Sequence, residues 1–169
     1  MLYNGKWIDV LAARAQWSGA IYTDGAFDVK SGITGAYTRL QVASGSVTFE
    51  QSRIKFYTVG AGSSAGTAKI KFNDPIDFTN IESINVTLSH TRYQYVDQAI
   101  SGLYIMILDS SNNIKKQLLM TENYSNKVFS LNTRDVNGKY YIGLHASSGS
   151  WSSASNGTTY ITKIDATLK

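Results

Sequence analysis

The chain has 169 residues, a net charge of +4 and no cysteine. This length suffices for one domain with a buried core, and the missing thiols exclude disulfides and thiolate metal sites. The basic residues are scattered, with Lys115 and Lys116 as the densest pair, so we expect no nucleic-acid-binding surface. No apolar run reaches the roughly 18 residues of a membrane span and no signal peptide is visible, so we expect no membrane insertion.

The N-terminal region carries two local signals. Asn4-Gly5 is a hairpin turn signal. The stretch WIDVLAARAQW that follows can form one or two helical turns. We therefore expect residues 1–30 to form a hairpin or short helical segment packed on the rest of the chain.

The remainder of the chain is typical of β structure, with abundant Tyr, Gly, Ser and Thr and a single Pro. Short segments of alternating or apolar character are separated by turn residues. These segments are SVTFEQ, RIKFYTV, TAKIKF, SINVTLSH, LYIMILD, IKKQLLM, KVFSLNT, KYYIGLH and TYITKIDATL. The nearly continuous apolar run LYIMILD indicates a central strand covered on both faces. The pattern predicts an all-β fold, an antiparallel β-sandwich of the jelly-roll type, with residues 1–169 as a single module.

Strand parity predicts which loops share an end of the sandwich. Consecutive strands of a sandwich usually run antiparallel, so their connections alternate between its two ends. Counting along the chain places four long connections at one end, which we call the loop end. They are VGAGSSAGT, TRYQYVDQAISG, TENYSN and ASSGSWSSASNGT. The opposite end carries mostly tight turns, so a binding site is expected at the loop end.

The loop end carries residues that suit a sugar. A sugar ring presents apolar C–H faces and a rim of hydroxyls, so its site needs aromatic rings surrounded by polar side chains. The candidates are Arg92, Tyr93, Tyr95, Asp97, Tyr124 and Trp151. Two alternatives stay open: Tyr93 and Tyr95 continue a strand with one ring packed under the loop, or Trp151 folds back as an anchor on the rim.

Strand alternation points to a second candidate surface on one sheet face. In YYIGLH, Ile142 and Leu144 should face the core, which turns Tyr141 and His145 to the outer face. If that face is concave, it combines rings with short polar groups. Further side chains expected there are Tyr104, Asn85, Thr87 and Ser89.

Catalytic signals are weak. His90 and His145 are the only histidines, and their spacing matches no metal motif, nor is there a nucleophile elbow. Asp97 and Glu122 would share the loop end, which leaves an acid pair open. We expect no enzyme and no cofactor; a structural Ca²⁺ held by loop Asp and carbonyl groups remains open without a motif.

Several segments resemble a known family of modules. In order they are LYNGKWIDV, DGAFDVKSGITGAYT, SVTFEQSRIKFYTV and KIKFNDPIDFTNIESINVTLS. GITGAY resembles an Ile-Thr-Gly-Gly-aromatic element, and IDFTNIESINV resembles an Ile-Asp-Leu-Thr-Asn entry to a strand. The chain thereby resembles the carbohydrate-binding β-sandwich modules of tail and baseplate proteins, including enlarged distal tail proteins, of phages that infect Gram-positive bacteria.

This resemblance implies a non-catalytic, lectin-like module that recognises a host cell-wall saccharide during adsorption. Its partners would be that polysaccharide and the rest of the parent tail protein, and its location the virion at the host surface. The family has no fixed ligand set that maps onto this chain, so the candidate residues rest on the loop and strand arguments. The alternative is a structural or decoration domain of the virion that makes protein–protein contacts.

Overall fold

The computed structural model describes residues 2–3, 6–7, 17–60, 64–93, 101–149 and 155–169, with side chains described from 17–60, 64–92, 102–149 and 156–169. The stretch 8–16, where helical turns are predicted, lies outside these residues. The strands are β1 (Leu2–Tyr3), β2 (Lys6–Trp7), β3 (Ala20–Thr23), β4 (Ala26–Phe27), β5 (Tyr37–Ala43), β6 (Gly45–Phe49), β7 (Ile54–Gly60), β8 (Gly66–Phe72), β9 (Ile76–Asp77), β10 (Ile81–Tyr93), β11 (Ser101–Leu108), β12 (Ile114–Met120), β13 (Tyr124–Asn132), β14 (Lys139–Ser148) and β15 (Ser155–Leu168). Two short 3₁₀ helices cover Val29–Ser31 and Phe78–Asn80.

Most strands belong to two antiparallel sheets. A seven-stranded sheet has the order β13-β10-β15-β3-β4, with β7 paired to the first half of β15 and β6 paired to β7. A six-stranded sheet has the order β12-β11-β14-β8-β5, with β9 paired to the start of β14. One hydrophobic cluster contains buried residues from both sheets. The predicted antiparallel β-sandwich is confirmed.

The core follows the alternation of each strand. Ile84, Val86 and Leu88 of β10 point inward from the seven-stranded sheet, and Ile142 and Leu144 of β14 point inward from the six-stranded sheet. All five side chains have no solvent exposure. Because successive side chains of a strand point to opposite faces, the residues between them project outward.

Strand β11 is buried on its inner face and over most of its outer face, where Tyr104 is partly exposed. Ile105 and Ile107 belong to the core between the sheets, whereas Met106 and Leu108 point to the outer face and are equally inaccessible. The continuous apolar run therefore marks a central strand covered on both sides, as predicted.

The N-terminal region contributes both a hairpin and part of a sheet. Strands β1 and β2 pair antiparallel, with Leu2 opposite Trp7 and Tyr3 opposite Lys6; Asn4 and Gly5 lie outside the described residues, so the turn there stays a prediction. Strands β3 and β4 belong to the seven-stranded sheet, in which β3 pairs with the second half of β15 and β4 pairs with β3. No helix in the described ranges is long and apolar enough to cross a bilayer.

The strand ends that flank the predicted long loops meet at one end of the sandwich. Tyr93 at the end of β10 lies opposite Asn156, and Ser148 at the end of β14 lies opposite both Ser101 and Gly66. Strand β7, which leads into the segment VGAGSSAGT, pairs with the start of β15 and therefore ends at the same end of the sandwich. The parity argument for the loop end is thus confirmed.

Candidate functional site

A row of side chains crosses the outer face of the six-stranded sheet. The pairing register places Leu119, Tyr104, His145, Lys69 and Gln41 side by side on five successive strands, from β12 to β5. We call these five residues the platform row. With strands about 4.8 Å apart, the row is roughly 19 Å long.

Two rings stand at the centre of the platform row. The rings of Tyr104 and His145 are nearly parallel, with 5.5 Å between centroids and 21° between planes. Both residues are partly exposed. His145 Nε2 lies 2.8 Å from Thr67 Oγ1, which holds the orientation of the imidazole.

Burial, together with the positive charge of Lys69, lowers the pKa of His145 below its usual value. The imidazole is therefore neutral at pH 7, with one ring nitrogen as donor and the other as acceptor. A neutral ring with an available apolar surface can pack against a sugar face.

The next row of the same face forms a low floor, in which Met106 and Gly143 are buried. In it Met106, Gly143 and Lys71 lie in register on β11, β14 and β8. A Cβ on Gly143 would lie 2.7 Å from Leu108 Cδ1 and 3.1 Å from Met106 Cε. The absence of a side chain at Gly143 thus lets Met106 and Leu108 lie across β14 and keeps the floor flat beside the platform row.

Tyr141 and Lys71 border this floor. Lys71 Nζ lies 4.6 Å from the centroid of the Tyr141 ring and donates a hydrogen bond to Asn112 Oδ1 at 2.5 Å. Asn112 belongs to the β11–β12 turn, where it adopts a positive φ of 67°. The Asp109 carboxylate orders this turn by accepting the backbone N–H groups of Ser111 and Asn113.

Arg92 and Tyr124 lie elsewhere, on the rim of the seven-stranded sheet near the loop end. Tyr124 packs partly against the core and contacts Phe129 edge-to-face, with 4.8 Å between centroids. Its hydroxyl donates to Glu122 Oε2 at 3.3 Å, and burial, then Glu122, raise its pKa. The backbone N–H of Arg92 donates to Asn123 Oδ1 at 2.8 Å. This Tyr is therefore held as a rim anchor.

The remaining predicted loop residues cannot be compared with the structure in full. The backbone of Tyr93 ends β10, but its side chain is outside the described part. Tyr95, Asp97 and Trp151 also lie outside it, so their contact with a ligand, and an acid pair of Asp97 with Glu122, stay predictions.

One part of the sheet-face prediction is wrong. Asn85, Thr87 and Ser89 do not accompany His145, because β10 belongs to the seven-stranded sheet and projects them from the opposite outer face. There the Asn85 amide donates to Asp165 Oδ1 at 2.9 Å. Tyr104, in contrast, lies beside His145 as predicted.

The sequence analysis does not predict that side chains of β8 belong to the site. Lys69 and Lys71 alternate with buried residues in TAKIKF, which predicts that both lysines share an outward face. Alternation does not identify the neighbouring strand, so it could not place them beside His145. Leu119 and Gln41 were missed for the same reason.

A cleft of about 990 Å³ lies at the opposite end of the sandwich. It is bordered by Trp17, Val29, Leu168 and several lysines. The Trp17 indole N–H donates a hydrogen bond to Ala20 O at 2.7 Å, so this donor already has a partner within the protein. The cleft contains none of the predicted site residues, whereas the platform row offers rings beside polar groups, and we therefore place the candidate site on the sheet face.

Metal chemistry finds no support in the part of the chain that the structure describes. No group of three His, Cys, Asp or Glu residues within it comes close enough together to hold an ion.

Comparison with known proteins gives matches at the level of structure. No protein-family model and no curated protein sequence matches the chain. An arginine-to-alanine mutant of a family 29 carbohydrate-binding module superposes with a TM-score of 0.53 at 10% sequence identity, over 88% of this chain and 89% of the module. A lysine-to-alanine mutant of that module, in complex with cellulohexaose, gives a TM-score of 0.52 at 10% identity, over 87% and 88% of the two chains.

A further structure concerns the promiscuous specificity of carbohydrate-binding modules from the β-sandwich superfamily. It superposes with a TM-score of 0.51 at 16% identity, over 88% of this chain and 63% of the other. At these identities the likeness establishes a shared β-sandwich fold.

Proposed function

We propose that this chain is a non-catalytic carbohydrate-binding module that binds a glycan across the outer face of its six-stranded sheet. The observation that carries the proposal is the near-parallel pair of Tyr104 and His145 rings at the centre of the platform row. Rings of this kind pack against the C–H face of a sugar, and the amide and ammonium groups beside them bind its hydroxyls.

The surroundings of the ring pair fit an extended chain better than a single sugar. The platform row continues from Tyr104 to Leu119, which is 43% exposed, and from His145 to Lys69 and Gln41. An open row of this length offers contacts to several consecutive sugar units. A module that shares this fold has been solved in complex with cellulohexaose, which supports a glycan chain as the ligand class.

The charge composition of the face argues against hydrolysis there. Strands β5, β8, β11, β12 and β14 contain no Asp or Glu. A glycosidase normally needs two carboxyl groups on either side of the scissile bond. We therefore propose binding without catalysis at this face.

The biological setting that we propose follows from the sequence resemblance. GITGAY and IDFTNIESINV point to a module of a phage tail or baseplate protein that adsorbs to a cell-wall saccharide of a Gram-positive host. One module is expected to bind weakly, and many copies on one virion would supply avidity. A fluorescent fusion should then label host cells and purified wall polysaccharide.

The test of the proposed function compares the partly exposed Tyr104 with the exposed Tyr57, which lie on different faces. Tyr104→Ala removes half of the ring pair, whereas Tyr57→Ala removes a tyrosine from the outer face of the seven-stranded sheet. On a glycan array, Tyr104→Ala should lose about tenfold in affinity, which corresponds to about 1.4 kcal/mol. Tyr57→Ala should bind like the parent. Equal effects of the two variants, or no glycan binding by the parent, would contradict the proposal.

A virion decoration role is favoured by one observation. Ile114 and Leu119 on the edge strand β12 are 46% and 43% exposed, and apolar groups of this kind also anchor protein interfaces. Burial of these two residues in an assembled particle, without any effect of Tyr104→Ala on glycan binding, would support that role instead.

A further inference from the structure

The charge of the six-stranded sheet is one-sided. Its five long strands contain lysines and an arginine but no acidic residue. The seven-stranded sheet is mixed: β10 contains Glu82 and β15 contains Asp165. On that sheet Lys163 Nζ lies 3.0 Å from Asp165 Oδ2, so part of the positive charge there is neutralised.

The lysines of the binding face have neutral neighbours. Among the described residues, the ion pairs of the six-stranded sheet use Lys115 and Lys116, which pair with Asp109 and Asp135. Neither Lys69 nor Lys71 takes part in an ion pair there. These two lysines therefore keep uncompensated charge at the surface.

The contacts of Lys71 hold its ammonium group without neutralising it. Its Nζ donates to the Asn112 amide oxygen and lies over the Tyr141 ring. Amide and cation–π contacts orient the group but leave the full positive charge available. The ammonium is thus positioned for a further, anionic partner.

Both lysines lie beside the ring pair. Lys69 is in register with His145, and Lys71 is in register with Gly143, two residues earlier on β14. Side chains two residues apart on one strand face are separated by about 7 Å. Burial, and after it the nearby charge of Lys69, lower the pKa of His145. A sugar seated on Tyr104 and His145 would carry its substituents close to two ammonium groups.

From this charge arrangement we infer that the glycan bound by this face is acidic, with carboxylate or phosphate groups along the chain. The inference rests on the proposed function and specifies its ligand class. Lys69 and Lys71 are partly exposed, and each ammonium contributes modestly to affinity, because water and salt screen it. Two ammonium groups acting on a repeating anionic chain give a clear preference over a neutral glycan.

The test uses matched pairs of polymers that differ only in charge. One pair is polygalacturonic acid and its fully methyl-esterified form; a second is a phosphorylated mannan before and after enzymatic dephosphorylation. Cellohexaose and mannohexaose serve as neutral probes. We expect at least tenfold tighter binding to one acidic member than to its neutral partner. The pair that responds identifies the carboxylate or the phosphate as the recognised group.

A double variant tests whether the two lysines cause the preference. Lys69→Gln with Lys71→Gln should weaken binding to the acidic polymer roughly tenfold at 50 mM NaCl, and much less at 500 mM NaCl. The control, Lys55→Gln with Lys127→Gln, removes the same charge from the seven-stranded sheet and should bind like the parent. Melting temperatures check that both variants are folded.

The outcomes separate the inference from the proposed function. Equal binding to acidic and neutral members, or an acidic preference that survives in the double variant, overturns the inference while the module remains a glycan binder. Binding to neither acidic nor neutral probes counts against both proposals. Loss of binding in the double variant with an unchanged control supports the inference.

Discussion

Tyr104 of β11 and His145 of β14 lie directly opposite each other, and their rings are nearly parallel at 5.5 Å. The two residues are 41 positions apart in the chain and meet only because β11 pairs with β14. Their contact has a consequence for the protonation of His145: the ring is partly buried against Tyr104 and is close to the charge of Lys69, so its pKa is lowered.

The lowered pKa of His145 predicts a pH dependence of stability. In the unfolded chain the imidazole titrates near pH 6.5, so between that pH and the lower folded pKa the unfolded state binds more protons. The contribution of neutral His145 to the free energy of unfolding should therefore be complete above about pH 6.5. It should be lost as the pH falls towards the folded pKa. Urea unfolding at pH 7.5 and 5.5 measures this, and His145→Gln should reduce the difference.

The effect of the Lys69 charge on the pKa of His145 can be separated from the effect of burial by NMR titration. In Lys69→Gln the charge repulsion is removed, so the pKa of the His145 imidazole should rise towards its usual value while burial still holds it low. An unchanged His145 titration in this variant would contradict the assigned electrostatic contribution.

A buried hydroxyl pair links the two sheets near the loop end. Thr58 Oγ1 of β7 and Ser148 Oγ of β14 are 2.6 Å apart, and both residues are about 1% exposed. Thr58→Val keeps the shape but removes the hydroxyl, and should lower the free energy of unfolding by about 1–2 kcal/mol. In a double-mutant cycle with Ser148→Ala, the two effects should be less than additive. Strict additivity in urea unfolding would mean that the two groups do not interact.

The surroundings of Gly60 and Gly143 predict different losses of stability when each is replaced by alanine. A Cβ on Gly60 would lie 2.1 Å from the backbone oxygen of Gly149, so Gly60→Ala must separate main chains and should cost about 3 kcal/mol. A Cβ on Gly143 meets the ends of the Leu108 and Met106 side chains, which can shift, so Gly143→Ala should cost about 1 kcal/mol. Chemical denaturation of both variants checks this order. A larger cost at Gly143 would show that the floor beside the platform row is rigid.

The loop-end aromatics remain predictions that need their own variants. Trp151→Ala and Tyr93→Ala should reduce glycan binding and leave the melting temperature nearly unchanged, if these rings face the ligand. A loss of about 3–5 kcal/mol in stability would instead identify them as packed residues. Tyr124→Ala provides the comparison, because this ring packs partly against the core and its removal should lower stability.

The local features of this protein can be derived from its amino-acid sequence. Alternation of period two decided that Ile142 and Leu144 are buried while His145 faces outward, and the apolar run around Met106 indicated a strand covered on both sides. The antiparallel rule placed the long connections at one end. These features depend on contacts between residues close in the sequence, or on counting antiparallel strands along the chain. They can therefore be derived without a structure.

The tertiary structure alone decided which strands are neighbours. Alternation tells which face of its own sheet a residue occupies, but not which sheet its strand joins or what lies beside it. For that reason alternation wrongly predicts Asn85 beside His145 and does not predict Lys69 there. Strand order arises from pairings between distant segments, whose free energy depends on the packing of the whole core. The composition and charge of the binding face follow from that order.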